Sequence, residues 1–264
     1  MTDPSYAGGR VGFQMTPALA AHAFTVAVFL LWAGAASFIP AYVVPSPLAV
    51  GSRILELFTT NNYLKHGLAS VLHVVSALTA AFVIGLFLAG TAHYLAFTRL
   101  LVHERLNRFM NSFSALGWTF LAIIWFGIND FTVIFAMTAV LLPLVLTNLR
   151  EGFNQLDAEI IEMARSFGRR RIRHFRKITL LLLVPYIAAT VRIAYGVAWI
   201  ISLAVELFGG SAGYGYLLNR ARMEFRVDMI FAIIAVIIFA VYTTDRFIFS
   251  PLQNHLRRQY AGAQ

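Results

Sequence analysis

Apolar runs of about twenty residues recur along this chain, and each is long enough to carry an α-helix across the ~30 Å hydrocarbon core of a bilayer. Inside a bilayer the backbone finds no water to bond to, so such runs must satisfy their own hydrogen bonds as helices. Composition points the same way. The sequence has 264 residues, is 59% hydrophobic and only 12% charged, which argues against a water-soluble fold. The expected class is therefore an all-α polytopic membrane protein, one domain over residues 1–264, with about six spans.

The first span runs from Pro17 to about Ile39 and stops where Pro40 cannot continue a helix. Pro45-Ser46-Pro47 restarts the chain: Ser46 caps, Pro47 takes the first helical position, and Leu48 to Phe58 forms a short interfacial helix. The second span is placed at about Leu68 to Phe97, and the third at Leu106 to Trp125. After a turn over Phe126 to Asp130, the fourth runs from Phe131 to Leu149, with Pro143 as a kink. The fifth covers about Ile178 to Leu207 and the sixth Met229 to Phe249.

A net charge of +9 raises the question of nucleic acid, but the basic residues gather between the apolar runs and answer to a membrane instead. With the N-terminus inside, the cytoplasm receives Arg10, Arg99, Arg105, Arg108, Arg150, Arg165, Arg169 to Arg171, Arg173, Arg176, Lys177, Arg246, Arg257 and Arg258. The far side receives Arg53, Lys65, Arg220, Arg222 and Arg226, an asymmetry of about threefold that obeys the positive-inside rule. Both termini are then cytoplasmic, residues 1–16 form a cytoplasmic tail, and residues 150–177 form a cytoplasmic loop. Met1 to Gln14 has no signal-peptide pattern, so the first run is expected to stay as an anchor. There is no cysteine, which excludes disulfides and thiol chemistry.

The 150–177 loop carries a short amphipathic pattern. Leu156, Ile160, Met163 and Phe167 share one helical stripe, Asp157, Glu159 and Glu162 face elsewhere, and Gly168 can end the helix. A stripe so short needs a partner surface. Glu162-Met163-Ala164, Gly168, Ile178 and Pro185 resemble the EAA loop of ABC importer permeases, which reads Glu-Ala-Ala, three residues, Gly, and later Ile-x-x-Pro. Met163 departs from the first Ala, and Leu181 stands where a Pro is usual. The likeness extends from about Pro45 to Leu256 through Val44 to Val50, Trp125 to Ile128, Val205-Glu206, Gly213 to Tyr216 and Asp245. It is nearest the branch serving alkanesulfonates, taurine, nitrate and similar solutes.

That resemblance implies a type I importer architecture: a permease pair around one path, two ATPase subunits below and an extracytoplasmic solute-binding protein above, in a bacterial cytoplasmic membrane. It implies that Glu159, Glu162, Met163, Ala164 and Gly168 dock on the ATPase, with Glu162 pairing a basic group. It also implies that ATP and Mg belong to that ATPase and that this chain carries no cofactor. The run Arg169 to Lys177 suits anionic lipid headgroups, the reading preferred over specific contacts with the ATPase.

Four residues are candidates for the translocation path or a helix interface. Arg192, Trp199 and Glu206 recur at spacing seven in the fifth span and share roughly one face; His73, with Ser76 and Thr79, lies in the second. Trp118 and Thr119 in the third span join them, although single polar groups in membrane helices more often bond a neighbouring helix. Gly213 and Gly215 fall in a glycine-rich stretch from Gly209 to Tyr216, which lacks the Gly-Lys-Ser/Thr of a phosphate loop and reads as a flexible extracytoplasmic connection with a hinge. Arg220, Arg222, Glu224, Arg226 and Asp228 follow as contacts for a binding protein. No catalytic set or metal motif stands out. Two other classes compete: a self-sufficient small carrier or channel, and a membrane-anchored assembly factor whose Arg192–Trp199–Glu206 face packs dry.

Overall fold

The structure, a computed structural model, describes residues 17–155 and 180–261, and the elements formed by those residues are helical. Helix α1 (Pro17–Phe38) ends just before Pro40. Helix α2 (Pro47–Thr59) begins as its sequence predicts: Ser46 is extended, its hydroxyl accepts the Ala49 N–H at 3.2 Å, and Pro47 opens the helix. Helix α3 (Asn61–Tyr94) has 34 residues, about 51 Å at 1.5 Å each, and so projects beyond the hydrocarbon core.

The expected third span is not one straight helix. A helical stretch over residues 96–111 (α4), with π-helical turns from Leu100–Leu106, is followed by a break and then by α5 (Ala115–Phe126), bent by 89°. The break has a local cause. Ser114 is extended (φ −70°, ψ 164°) and its hydroxyl accepts the Gly117 N–H at 3.2 Å, so it starts a new helix instead of continuing the old one. The Trp118 indole N–H, donating to the Met110 carbonyl at 3.3 Å, braces the corner. With 12 residues, α5 is about 18 Å long and does not cross a bilayer alone.

Helix α6 (Asp130–Asn154) is capped by Asn129, whose side chain accepts the Thr132 N–H, and it continues through Pro143. Helix α7 (Leu180–Gly209) likewise contains Pro185. A short α8 (Tyr214–Met223) leads to α9 (Val227–Thr244), which passes through a π-helical turn at Asp245–Phe249 into α10 (Ser250–Ala261). Among the described residues four helices are long and apolar enough to cross a membrane, five if the bent pair counts as one span. The apolar part of α1, His22–Phe38, is shorter. The fold is the expected all-α polytopic one, with fewer unbroken spans than the apolar runs suggested.

Helix α6 forms the axis of the packing. Met137, Leu141, Val145, Leu146 and Leu149 are completely buried between α3 and α7. Small residues let the helices close on it: Ala77, Ala81, Ala89 and Ala92 of α3 are buried, and a Cβ on Gly85 would meet Val145 Cγ1 at 2.7 Å. In contrast Val71, Leu72, Val83 and Phe87 of α3 are exposed, as apolar surface facing lipid would be. The C-terminal ends of α3 and α6 meet the start of α7. His93 stacks on Phe153 with ring centroids 4.9 Å apart, and Gly152 lies against Tyr186 and Leu183. Residues 155 and 180, which flank the 156–179 linker, therefore both lie at this one end of the bundle, which also carries Arg99, Arg105, Arg108 and Arg150.

Candidate functional site: a buried glutamate and an apolar groove

Glu206, near the end of α7, is 1% exposed in a membrane-spanning helix, and its carboxyl is fully engaged. The Ser70 hydroxyl donates to Oε2 at 2.8 Å, the Gly215 N–H donates to Oε2 at 2.9 Å, and Oε1 pairs with His73 Nδ1 at 2.9 Å. His73 Nε2 lies 3.4 Å from Asp130 Oδ1 at the start of α6, and the Ser211 hydroxyl donates to the same oxygen at 3.4 Å. A buried carboxyl without such partners would destabilise the fold strongly, so the cluster is the condition of its burial.

The glycine-rich segment is bound to this cluster through consecutive backbone amides. Gly213 N–H donates to His66 Nδ1 at 3.2 Å, Tyr214 N–H to Ser70 Oγ at 2.7 Å and Gly215 N–H to Glu206. His66, Ser70 and His73 are four and three residues apart, one face of α3, and three amides in a row are received along α3 and α7. The glycines are required sterically. Gly213 has φ 112° and ψ 171°, and a Cβ there would fall on the Glu206 carboxyl. A Cβ on Gly215 would lie 2.5 Å from the Leu203 carbonyl oxygen and 2.6 Å from Glu206 Cβ. Where the sequence suggested a loose connection, the chain is wound tightly on a buried post. Burial pushes the Tyr214 hydroxyl above its ordinary pKa.

Arg192 and Trp199 occupy a different environment. They help to line an open groove of about 1000 Å³ between α7 and α9, walled by Ile193, Ile200, Ile238 and Tyr242. The Arg192 guanidinium is held by side chains of the C-terminal segment: its Nε and Nη2 donate to the two oxygens of Asp245 at 2.5 and 2.7 Å, and Nη1 donates to Gln253. Trp199 is 3% exposed, and its Nε1 has no hydrogen-bond partner among the described residues. The heptad spacing placed Glu206 on this face too, but it does not line the groove. A straight helix drifts about 20° per heptad, so two heptads turn Glu206 some 40° away, toward α3 and α8.

Other expected path residues resolve into local bonds. Thr79 is exposed and donates to the Val75 carbonyl of its own helix, and Thr119 donates to Ala115. The polar face of α3 is His66–Ser70–His73, not His73–Ser76–Thr79; the spacing of four and three was its signal. Asn129 forms the expected turn as a cap, while Asp130 adds the contact to His73. At the end opposite the 156–179 linker, Arg53 donates to Asp228 and Glu56, Arg220 pairs with Glu224, and Arg226 approaches Glu56 and Glu224. The hydrogen bonds that Arg53 donates to Asp228 and then to Glu56 hold its guanidinium above its ordinary pKa. Glu159, Glu162, Met163, Ala164 and Gly168 lie outside the described residues.

Comparison with known proteins adds a family. The sequence profile described as binding-protein-dependent transport system inner membrane component matches residues 13–250. A putative aliphatic sulfonates transport permease protein of Bacillus subtilis is 27% identical over 217 residues, 81% of this chain and 78% of the relative. The Escherichia coli protein of the same description is 32% identical over 46% of this chain and 45% of its own length. A bicarbonate transport system permease protein of Synechococcus elongatus is 28% identical over 50% of this chain and 48% of its own.

Proposed function

This chain belongs to the family of inner-membrane components of binding-protein-dependent transport systems, and from that premise we propose how its parts divide the work. It is the permease subunit of an ABC importer, a transport component that works with an ATPase and a solute-binding protein. In our reading two copies pair around one path, two ATPase subunits bind below and a binding protein docks above. The chain itself holds neither nucleotide nor metal, ATP and Mg being bound by the ATPase.

The observation that carries this reading is the position of the 156–179 linker. It joins the ends of α6 and α7, the two helices that pack along one another through the core, at the end bearing Arg99, Arg105, Arg108 and Arg150. By the positive-inside rule that end is cytoplasmic, and so are both termini. The opposite end balances its arginines with Glu56, Glu224 and Asp228, which suits contact with a binding protein. The segment from Glu159 to Gly168 then docks on the ATPase, and ATP-driven closure of the ATPase pair shifts α6 and α7 between two states of the path. Such a shift requires that docking favour one state over the other.

The solute is a small anion of the sulfonate, taurine, nitrate or bicarbonate kind; among these, relatives are named for aliphatic sulfonates and for bicarbonate. The test is ATPase activity and solute uptake of the purified complex in lipid, wild type against Glu162→Lys. Reversal of that charge is expected to abolish stimulated hydrolysis while the permease stays inserted. Uptake that survives without any ATPase would return the chain to the class of autonomous carriers.

A further inference from the structure

Four helices meet at Glu206, and the two that flank the linker are joined there at their far ends. Asp130 opens α6 and Glu206 lies one turn from the end of α7. His73 of α3 stands between them, 2.9 Å from one carboxyl and 3.4 Å from the other. Ser211, just past α7, adds a second tie to Asp130. The amides of residues 213–215 fasten the start of α8 to the same post. Gly209 closes the cluster from below, where a Cβ would lie 3.2 Å from Thr119 and 3.3 Å from Thr132.

We propose that Glu206 is a positioning residue for transport: the centre of a clasp that stays shut through the cycle and makes the outer ends of α6 and α7 carry α3 and α8 as one body. A displacement at the linker end of α6 and α7 is then delivered to the opposite end of the molecule without being absorbed by slippage between helices. The geometry favours a permanent clasp over a releasable latch. Opening it would strand a buried carboxyl and three backbone N–H groups in a low-dielectric interior, and each such group is costly to leave unpaired. Gly213 and Gly215 leave no slack, because their backbones touch Glu206 and Leu203 directly. Moving parts are more simply sought at the groove between α7 and α9, whose walls are open.

This inference rests on the coupling reading of the linker, and the experiment separates the two. The complex of permease and co-purified ATPase is reconstituted in lipid with its binding protein, and solute taken up per ATP hydrolysed is measured. Glu206→Ala is expected to keep the ATPase bound and hydrolysing but to lower uptake per ATP at least tenfold. Glu206→Gln is expected to restore uptake to within about threefold of wild type. Its amide oxygen accepts from Ser70 and Gly215, and its NH₂ donates to His73 Nδ1. Ser70→Ala, a smaller lesion at the same post, is expected to fall between them, which keeps the test valid if Glu206→Ala is poorly folded. Glu162→Lys is the contrasting control, losing stimulated hydrolysis itself. Unchanged uptake per ATP in both Glu206→Ala and Ser70→Ala would overturn the clasp. So would a Glu206→Gln complex that is fully stable yet as uncoupled as the alanine variant. A Glu162→Lys complex with normal coupling would overturn the linker reading, while the comparison at Glu206 keeps its own readout.

Discussion

Replacing Gly213 by alanine is the sharpest test of the packing at Glu206. The residue adopts φ 112° and ψ 171°, a region open essentially to glycine alone, so an alanine there is strained by roughly 1–3 kcal/mol. The new methyl also falls on the Glu206 carboxyl. If that carboxyl yields, its bonds from Ser70 and Gly215 weaken, and hydrogen bonds to a charged group are worth about 1.5–3 kcal/mol each. Strain and one lost bond together give about 2.5–6 kcal/mol. At about 2–4 °C per kcal/mol for a chain of this size, the melting temperature should fall by at least roughly 5 °C. The assay is thermal unfolding of the purified permease in detergent, followed by tryptophan fluorescence. Gly127→Ala is the matched control: with φ 76° and ψ −169° it lies in the same region as Gly213, but no neighbouring atom of the described residues lies within 4 Å of a Cβ there, so only the backbone strain of about 1–3 kcal/mol applies. Equal melting temperatures for the two variants would refute the claim that the glycine loop is wound on Glu206.

Gly85→Ala places a methyl 2.7 Å from Val145 Cγ1 and should cost about 1–3 kcal/mol by overpacking α3 against α6. Adding Val145→Ala to the same chain should recover part of the lost melting temperature, and no recovery would mean the helices separate instead. Asp245→Ala leaves Arg192 without its carboxylate partner in a spanning helix and should lower the melting temperature. Removing the charge as well, with Arg192→Met, should restore some of that loss; a double variant no better than the single one would show that the pair does not hold α7 to the turn after α9.

The broken third span shows how far hydropathy reaches. Leu106 to Trp125 is apolar enough to be read as one crossing, yet Ser114 turns the chain by capping the next helix. A cap costs little hydropathy, so a window average passes over it. The cluster at Glu206 was half legible. Glu206, His73, Gly213 and Gly215 each stood out, one as a charge in an apolar helix, one as a polar residue in a span, two as glycines in series. Nothing in the linear order says that residues 66, 70, 73, 130, 206 and 213–215 meet, because that meeting depends on where α3 crosses α7.

By itself, then, the sequence determined the class of the molecule, the cap at Ser46, the turn at Asn129, and the family through its ordered motifs. Those signals are local: run length, residue type and spacing act within a few turns of chain. The tertiary structure alone decided which polar residues face one another. It turned Glu206 away from Arg192 and Trp199 despite their shared heptad, gave Arg192 to Asp245, and drew a glycine-rich segment in against a buried carboxyl. Partners in these pairs lie from 9 to 147 residues apart, and only helix packing, with its preference for small residues at close crossings and its intolerance of unpaired polar groups, selects among the possible meetings.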